Sequence, residues 1–240
     1  MSEGIYRDGK LLSRHYDFIR DLCLRSSSTD PSPFHRLFNQ LAEQGRLLHL
    51  FTQNIDGLED RLPYLYTDRP LRNNVDTIPN FSELHGNVNW EYCVNCRQLT
   101  KIRLHHFIGE QPPACPACEE EIERAARENN KRSNRTPGVL RPWILLYNDE
   151  QENGLQSSEL DELQARVEER RPDMLIVGGT SLSLDVVGAR KTVQAISSIV
   201  REEGGLTVWI NKEVPRQDCR PFFDIIVQGT CDQFATGVGL

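Results

Sequence analysis

Four of the seven cysteines in this 240-residue sequence stand in two tight pairs, Cys93-x2-Cys96 and Cys115-x2-Cys118. In a reducing compartment two such pairs read as metal ligands before disulfides, and four soft thiolates suit the closed tetrahedral shell of one structural Zn2+. Protein would fill every position of that shell, so the metal would hold structure and leave no open position for catalysis. Cys23, Cys219 and Cys231 remain as free thiols. Three polar clusters elsewhere have the residue types for chemistry. Thr52-Gln53-Asn54-Ile55-Asp56-Gly57 puts an amide pair and a carboxylate behind an apolar run; taken alone it reads as a turn, where Asn, Asp and Gly are favoured. Glu83-Leu84-His85-Gly86 sets a histidine beside a glycine, and a lone histidine is more often structural, although His85 has the right chemistry for a base near neutral pH. Gly178-Gly179-Thr180-Ser181-Leu182 lets backbone amides and hydroxyls approach a phosphate or ribose, or simply caps a helix.

The elements that must carry these clusters alternate. Short apolar runs at Leu47 to Thr52, Met174 to Val177, Leu206 to Asn211 and Asp224 to Gly229 read as buried strands, each delivering its last residues to a loop. Helical patterning lies between them over Phe34 to Gln44, Glu159 to Arg171 and Val186 to Glu203. The expectation is an α/β fold with a mostly parallel sheet, whose ligands gather beyond the carboxyl ends of the strands. Residues 86–141 interrupt the alternation with both cysteine pairs and a charge-dense stretch over 119–138 that reads as a solvated arm. Residues 59–82, with three prolines and no period, read as an irregular surface excursion.

Composition sets the outer bounds. A chain that is 38% hydrophobic and 26% charged can bury one substantial core, and a net charge of -7 argues against broad attachment to nucleic acid or acidic lipid. Arg97, Lys101, Arg103, His105 and His106 between the cysteine pairs make a weak basic footprint, but Glu119, Glu120 and Glu121 would repel phosphate, so no direct nucleic-acid reading is expected. No apolar run suits a bilayer or a signal peptide, which gives the expectation of a nuclear or cytosolic protein with no membrane partner.

Taken together and in this order, TQNIDG, ELHG, the paired cysteines, GGTSLSL and WINKE resemble the sirtuin family over nearly the whole chain. The resemblance implies a Rossmann-like NAD-binding domain over 1–85 and 142–240 with a zinc-binding module inserted at 86–141. It implies that Gln53, Asn54 and Asp56 hold the nicotinamide and its ribose and that His85 is the catalytic base, with Asn54 beside it in catalysis. Gly179, Thr180 and Ser181 would touch the ribose and phosphates, and Asn211, Lys212 and Cys231 would surround the adenosine. Arg141 to Tyr147 resembles the segment that pairs with an extended substrate peptide. The implied reaction is NAD-dependent deacylation of protein lysine. The acyl oxygen attacks the nicotinamide ribose, nicotinamide leaves, and the acyl group passes to ADP-ribose. Ser181 to Gly188 is similar to a fungal nuclear branch that deacetylates core histones, so the implied partner is an acyl-lysine protein substrate, a histone.

Two departures from the family pattern stand out. Asn148-Asp149 followed by Glu150 replace the family's Gly-Glu after the aromatic of the peptide-pairing segment. The family also opens on a glycine-rich GAGxS segment that the sequence does not contain, and Ser2 to Tyr6 resembles the end of the loop that follows it. The first strand of the sheet is therefore expected to be absent. This leaves open a catalytically impaired binding or regulatory protein, or ADP-ribosyl transfer to protein, beside the deacetylase.

Overall fold

In the computed structural model, which describes residues 2–69, 79–129, 136–145, 157–182 and 189–239, helices and strands follow one another from end to end. In chain order they are α1 (Ser2–Arg7), α2 (Gly9–Ser28), α3 (Pro33–Glu43), β1 (Leu50–Thr52), β2 (Phe81–Glu83), β3 (Gly86–Cys93), β4 (Leu99–Lys101), α4 (Pro116–Asn129), β5 (Leu140–Ile144), α5 (Ser157–Glu169), β6 (Met174–Gly178), α6 (Ala189–Glu202), β7 (Leu206–Asn211), β8 (Ile225–Gln228) and α7 (Cys231–Val238). They divide into two compact units, one of Met1–Thr29, Asn54–Gly57 and His85–Gly154, the other of Asp30–Gln53, Leu58–Leu84 and Leu155–Leu240.

The first unit carries the cysteine pairs. Helix α2 starts at Asp8, whose carboxylate accepts from the N–H groups of Lys10 and Leu11, and it buries Leu12, Tyr16, Ile19 and Cys23 along one face at helical spacing. Leu12 and Tyr16 pack with Phe107, Leu140 and three of the paired cysteines, with the Tyr16 and Phe107 rings meeting edge-on at 5.2 Å. Ile19 and Cys23 pack with Val88 and Ile144. Beside this helix lies an antiparallel sheet in the order β4-β3-β5. The β3–β5 register breaks between Gly86 and Glu91. Gly86 stands at φ +79°, and a Cβ there would collide with the Trp143 carbonyl, so only glycine lets β5 approach. The charged arm continues as α4, whose exposed Glu and Arg side chains pair at i,i+3 and i,i+4; residues 130–135 lie outside the described part.

In the second unit every strand pair among the described residues is parallel. The ladders are β1-β2, with Thr52 opposite Glu83, and β6-β7-β8; among the described residues no ladder joins β1 to β6. Helices α5 and α6 cover this sheet through Val167, Ile196 and Val200, against which Phe51 of β1 and Leu175 of β6 both pack. The strands and helices read from apolar runs and periodicity are present within a few residues of their expected bounds. Residues 59–69 differ from expectation. They are irregular, with one 3-10 turn at Glu59–Arg61, yet Leu62 and Leu65 are buried with Phe81 against Ala42, Leu47 and Leu50. Short-range patterning cannot register apolar residues presented by a loop to a helix and strand elsewhere in the chain.

Candidate functional site

The cysteine cluster is assembled from two turns. Sulfur atoms of Cys93 and Cys118 lie 3.6 Å apart, those of Cys96 and Cys115 3.8 Å apart, and all four fall within 4.8 Å of one another. Four thiolates about 2.3 Å from one Zn2+ would be separated by about 3.8 Å in a tetrahedron, so the donor set and its spacing both fit that ion. The N–H groups of Asn95 and Cys96 point at the Cys93 sulfur from 3.3 and 3.4 Å. Burial is the largest single influence on Cys93 and works against its thiolate, but these N–H donors together with the Cys115 and Cys96 thiols outweigh it and the thiol is lowered; at Cys115 burial prevails and pushes the thiol up to about 12. A bound cation would remove that cost, which ties the folding of this unit to the metal.

At the carboxyl ends of the parallel strands the second unit gathers polar groups. The Thr180 hydroxyl, after β6, donates to Gln53 Oε1, after β1, at 2.8 Å. Asn211 at the end of β7 donates its amide to the Thr180 carbonyl at 2.7 Å, and the Leu182 N–H donates to Thr180 Oγ1 at 3.2 Å. Gly179 N–H donates to the Ile210 carbonyl, and the Cys231 thiol at the start of α7 faces the same carbonyl at 3.7 Å. Burial pushes that thiol up. Lys212 and Ser181 are exposed at the same strand ends, and the Lys212 N–H donates to the Asn211 side-chain oxygen at 2.8 Å. Six residues expected around a nucleotide, Gln53, Gly179, Thr180, Asn211, Lys212 and Cys231, are thus joined directly or through one neighbour.

Asn54, Asp56 and His85 belong to the first unit. His85 follows β2 and precedes β3, and its carbonyl accepts from the Leu145 N–H at 2.9 Å. The loop holding Asn54 and Asp56 is sewn to β3: the Val88 N–H donates to the Ile55 carbonyl at 2.8 Å and the Asn89 amide donates to the Asp56 carbonyl at 3.2 Å. Gly57 ends that loop at φ +69°, and a Cβ on it would come within 2.6 Å of Asn89 Nδ2 and 2.7 Å of Asn87 Nδ2.

Sequence reasoning passed over Asn87 and Asn89. Their signal was available, since two asparagines two apart on a strand face the same side. It also passed over Arg69, whose guanidinium reaches Glu83 at 2.7 and 2.8 Å and Asp60 at 2.7 Å and so anchors the end of β2. Of the expected peptide-pairing segment, Arg141 to Ile144 lie in β5, the end strand of its ladder. Leu146, Tyr147 and the Asn148-Asp149-Glu150 departure lie outside the described residues, as do Ser183 to Gly188 of the histone-branch similarity.

The model of the Sir2 family matches residues 5–186. With a protein of Emericella nidulans named NAD-dependent protein deacetylase hst4 the chain is 33% identical over 237 residues, covering 97% of this chain and 38% of that protein. With the NAD-dependent histone deacetylase HST4 of Saccharomyces cerevisiae it is 30% identical over 238 residues, covering 95% and 62%. The chain therefore spans about two-fifths to three-fifths of the length of these relatives. A solved structure described as Sir2 bound to acetylated peptide superposes with a TM-score of 0.64 over 93% of this chain and 75% of that one, at 23% identity, a likeness of fold. With the paired cysteines, the parallel-strand unit and the family match over residues 5–186, the chain belongs to the Sir2 family.

Proposed function

We propose that this chain is an NAD-dependent protein-lysine deacetylase acting on acetylated histone in the nucleus. One observation carries the reading. The hydrogen-bonded run Gln53–Thr180–Asn211 lies across the carboxyl ends of parallel strands, where open α/β sheets bind their ligands, and its middle residue, Thr180, directly follows Gly178-Gly179. The names of the two relatives support the cofactor and the histone substrate, and nuclear action follows from that substrate.

In this reading Gly179, Thr180 and Ser181 receive the ribose and phosphates, and Asn211, Lys212 and Cys231 receive the adenosine. Gln53, Asn54 and Asp56 hold the nicotinamide end. When bound there, NAD would supply an activated glycosidic bond at the nicotinamide ribose, open to attack by the acyl oxygen. Asn54 orients that end, and His85 takes the proton of a ribose hydroxyl so that the acyl group can move to the sugar. The edge of β5 receives the substrate peptide by strand addition. The four cysteines hold one structural zinc outside the reaction.

The test is NAD-dependent loss of acetyl from a histone peptide by the zinc-loaded chain. His85→Ala is expected to lower turnover about 10²- to 10⁴-fold, the range for a positioned base, while NAD binding by calorimetry is retained. Transfer of label from NAD to protein without loss of acetyl would replace the reading with ADP-ribosyl transfer. NAD binding without either reaction would make the chain a binding protein.

A further inference from the structure

Strand β3 does two jobs along its length. From Glu91 to Cys93 it pairs regularly with β5, but between Gly86 and Glu91 that register breaks. In the break the Val88 N–H turns to the Ile55 carbonyl, the Asn89 amide reaches the Asp56 carbonyl, and the Asn89 carbonyl receives the Ile102 N–H at 2.9 Å. Asn87 is fully buried, and its side-chain oxygen accepts the Asn89 N–H at 2.8 Å, which fixes the turn of the backbone that aims Asn89. The Asn87 and Asn89 amides also close on Gly57, leaving no room for a Cβ. At the near end of the same strand His85 is held through its carbonyl by Leu145. A break in a strand ladder re-aims side chains and backbone groups. Here it turns one short stretch, residues 85–89, into a rail with the histidine at one end and the Asn54–Asp56 loop bonded to the other.

We infer that Asn87 and Asn89 are positioning residues, which set the placement of Asn54 and Asp56 against His85 by clasping residues 54–57 to β3. The inference rests on the roles proposed for His85 and the loop. Asn89 acts through the loop backbone and Asn87 through Asn89, and one hydrogen bond of this kind changes a local equilibrium by about a factor of ten.

The test uses the full zinc-loaded chain with Asn89→Ala, and with Asn89→Asp as a second variant of the same shape that turns the donor into a repelling acceptor. The Val88 amide, whose partner is Ile55, is expected to exchange with solvent about tenfold faster in Asn89→Ala and faster still in Asn89→Asp. Zinc content and the amides of Tyr92 and Cys93 should be unchanged. With NAD and an acetylated histone peptide, kcat per NAD-binding chain, the binding chains being counted by calorimetric titration, should fall about tenfold at an unchanged KM for the peptide; counting only these chains removes the loss that general instability would produce. Unchanged Val88 exchange in both variants overturns the clasp whatever the activity. Full kcat in Asn89→Ala with an active wild type overturns its positioning role. An inactive wild type overturns the deacetylase reading and with it the catalytic meaning of the clasp.

Discussion

The cysteine cluster and the parallel-strand unit bury polar groups in opposite ways. In the cluster Cys93, Cys115 and Cys118 are buried with their sulfurs turned on one another, an arrangement that calls for an added cation. In the parallel-strand unit Glu83 and His49 find their partners within the chain. Arg69 pairs with both Glu83 and Asp60, with side-chain exposures of only 8% and 2% for Arg69 and Glu83. The His49 ring donates from Nδ1 to the Pro79 carbonyl at 2.9 Å and accepts the Ser82 hydroxyl at Nε2 at 3.0 Å, since a carbonyl can only accept. The cost of burying polar or ionised groups would be offset by a metal in one place and is offset by distant residues of the chain in the other. A metal site needs few residues close in sequence, whereas an internal network needs the tertiary fold to be in place first.

Three perturbations sharpen that contrast. The largest effect is expected from removing the metal. Chelation, or Cys115→Ser, should unfold the first unit, because the binding energy of such a site, on the order of 10 kcal/mol, is folding energy. Zinc content and near-ultraviolet circular dichroism would report it, and a protein that keeps its tertiary signal without zinc would break the comparison. Next comes Arg69→Met, which leaves the Glu83 carboxylate buried without its guanidinium; a loss of about 3–5 kcal/mol in denaturant unfolding is expected, with zinc content unaffected. A loss under 1 kcal/mol would mean that the network is not what holds β2.

The smallest effect is a pH dependence confined to the second unit. Burial lowers His49 from 6.5 to about 4, the Pro79 hydrogen bond opposing this and Arg170 adding to it. A histidine lowered by folding gives stability that is fully present above pH 6.5 and is lost as pH falls from there toward 4, where the unfolded chain binds the extra proton. The half-buried ring keeps some contact with solvent, so the loss is about 2 kcal/mol across that window. Urea unfolding at pH 7 and pH 4.5 measures it, and His49→Gln should flatten the difference. An unchanged slope in that variant would assign the dependence to other groups.

How much could be read in advance follows the same division. The Cys93/Cys96 and Cys115/Cys118 pairs, the parallel strands and helices α3, α5 and α6 follow from local spacing. The strand-end residues Gln53, Thr180 and Asn211 could be named by resemblance, but their mutual hydrogen bonds could not, since they join different strands, 127 residues apart for Gln53 and Thr180 and 31 apart for Thr180 and Asn211. The burial of Leu62 and Leu65, the Arg69–Glu83–Asp60 network and the neutral His49 were not legible, because their partners are set by the β1–β2 pairing and the loop that returns to it.

By itself, then, the sequence determined the metal ligands, the α/β alternation and the residue types offered at each strand end, all of which depend on neighbours a few positions away. Only the tertiary structure decided that β3 breaks its ladder at residues 87–90 to hold the Asn54–Gly57 loop. That choice depends on Gly86 admitting β5 and Gly57 admitting two amides, close approaches that exist only once distant segments have packed together.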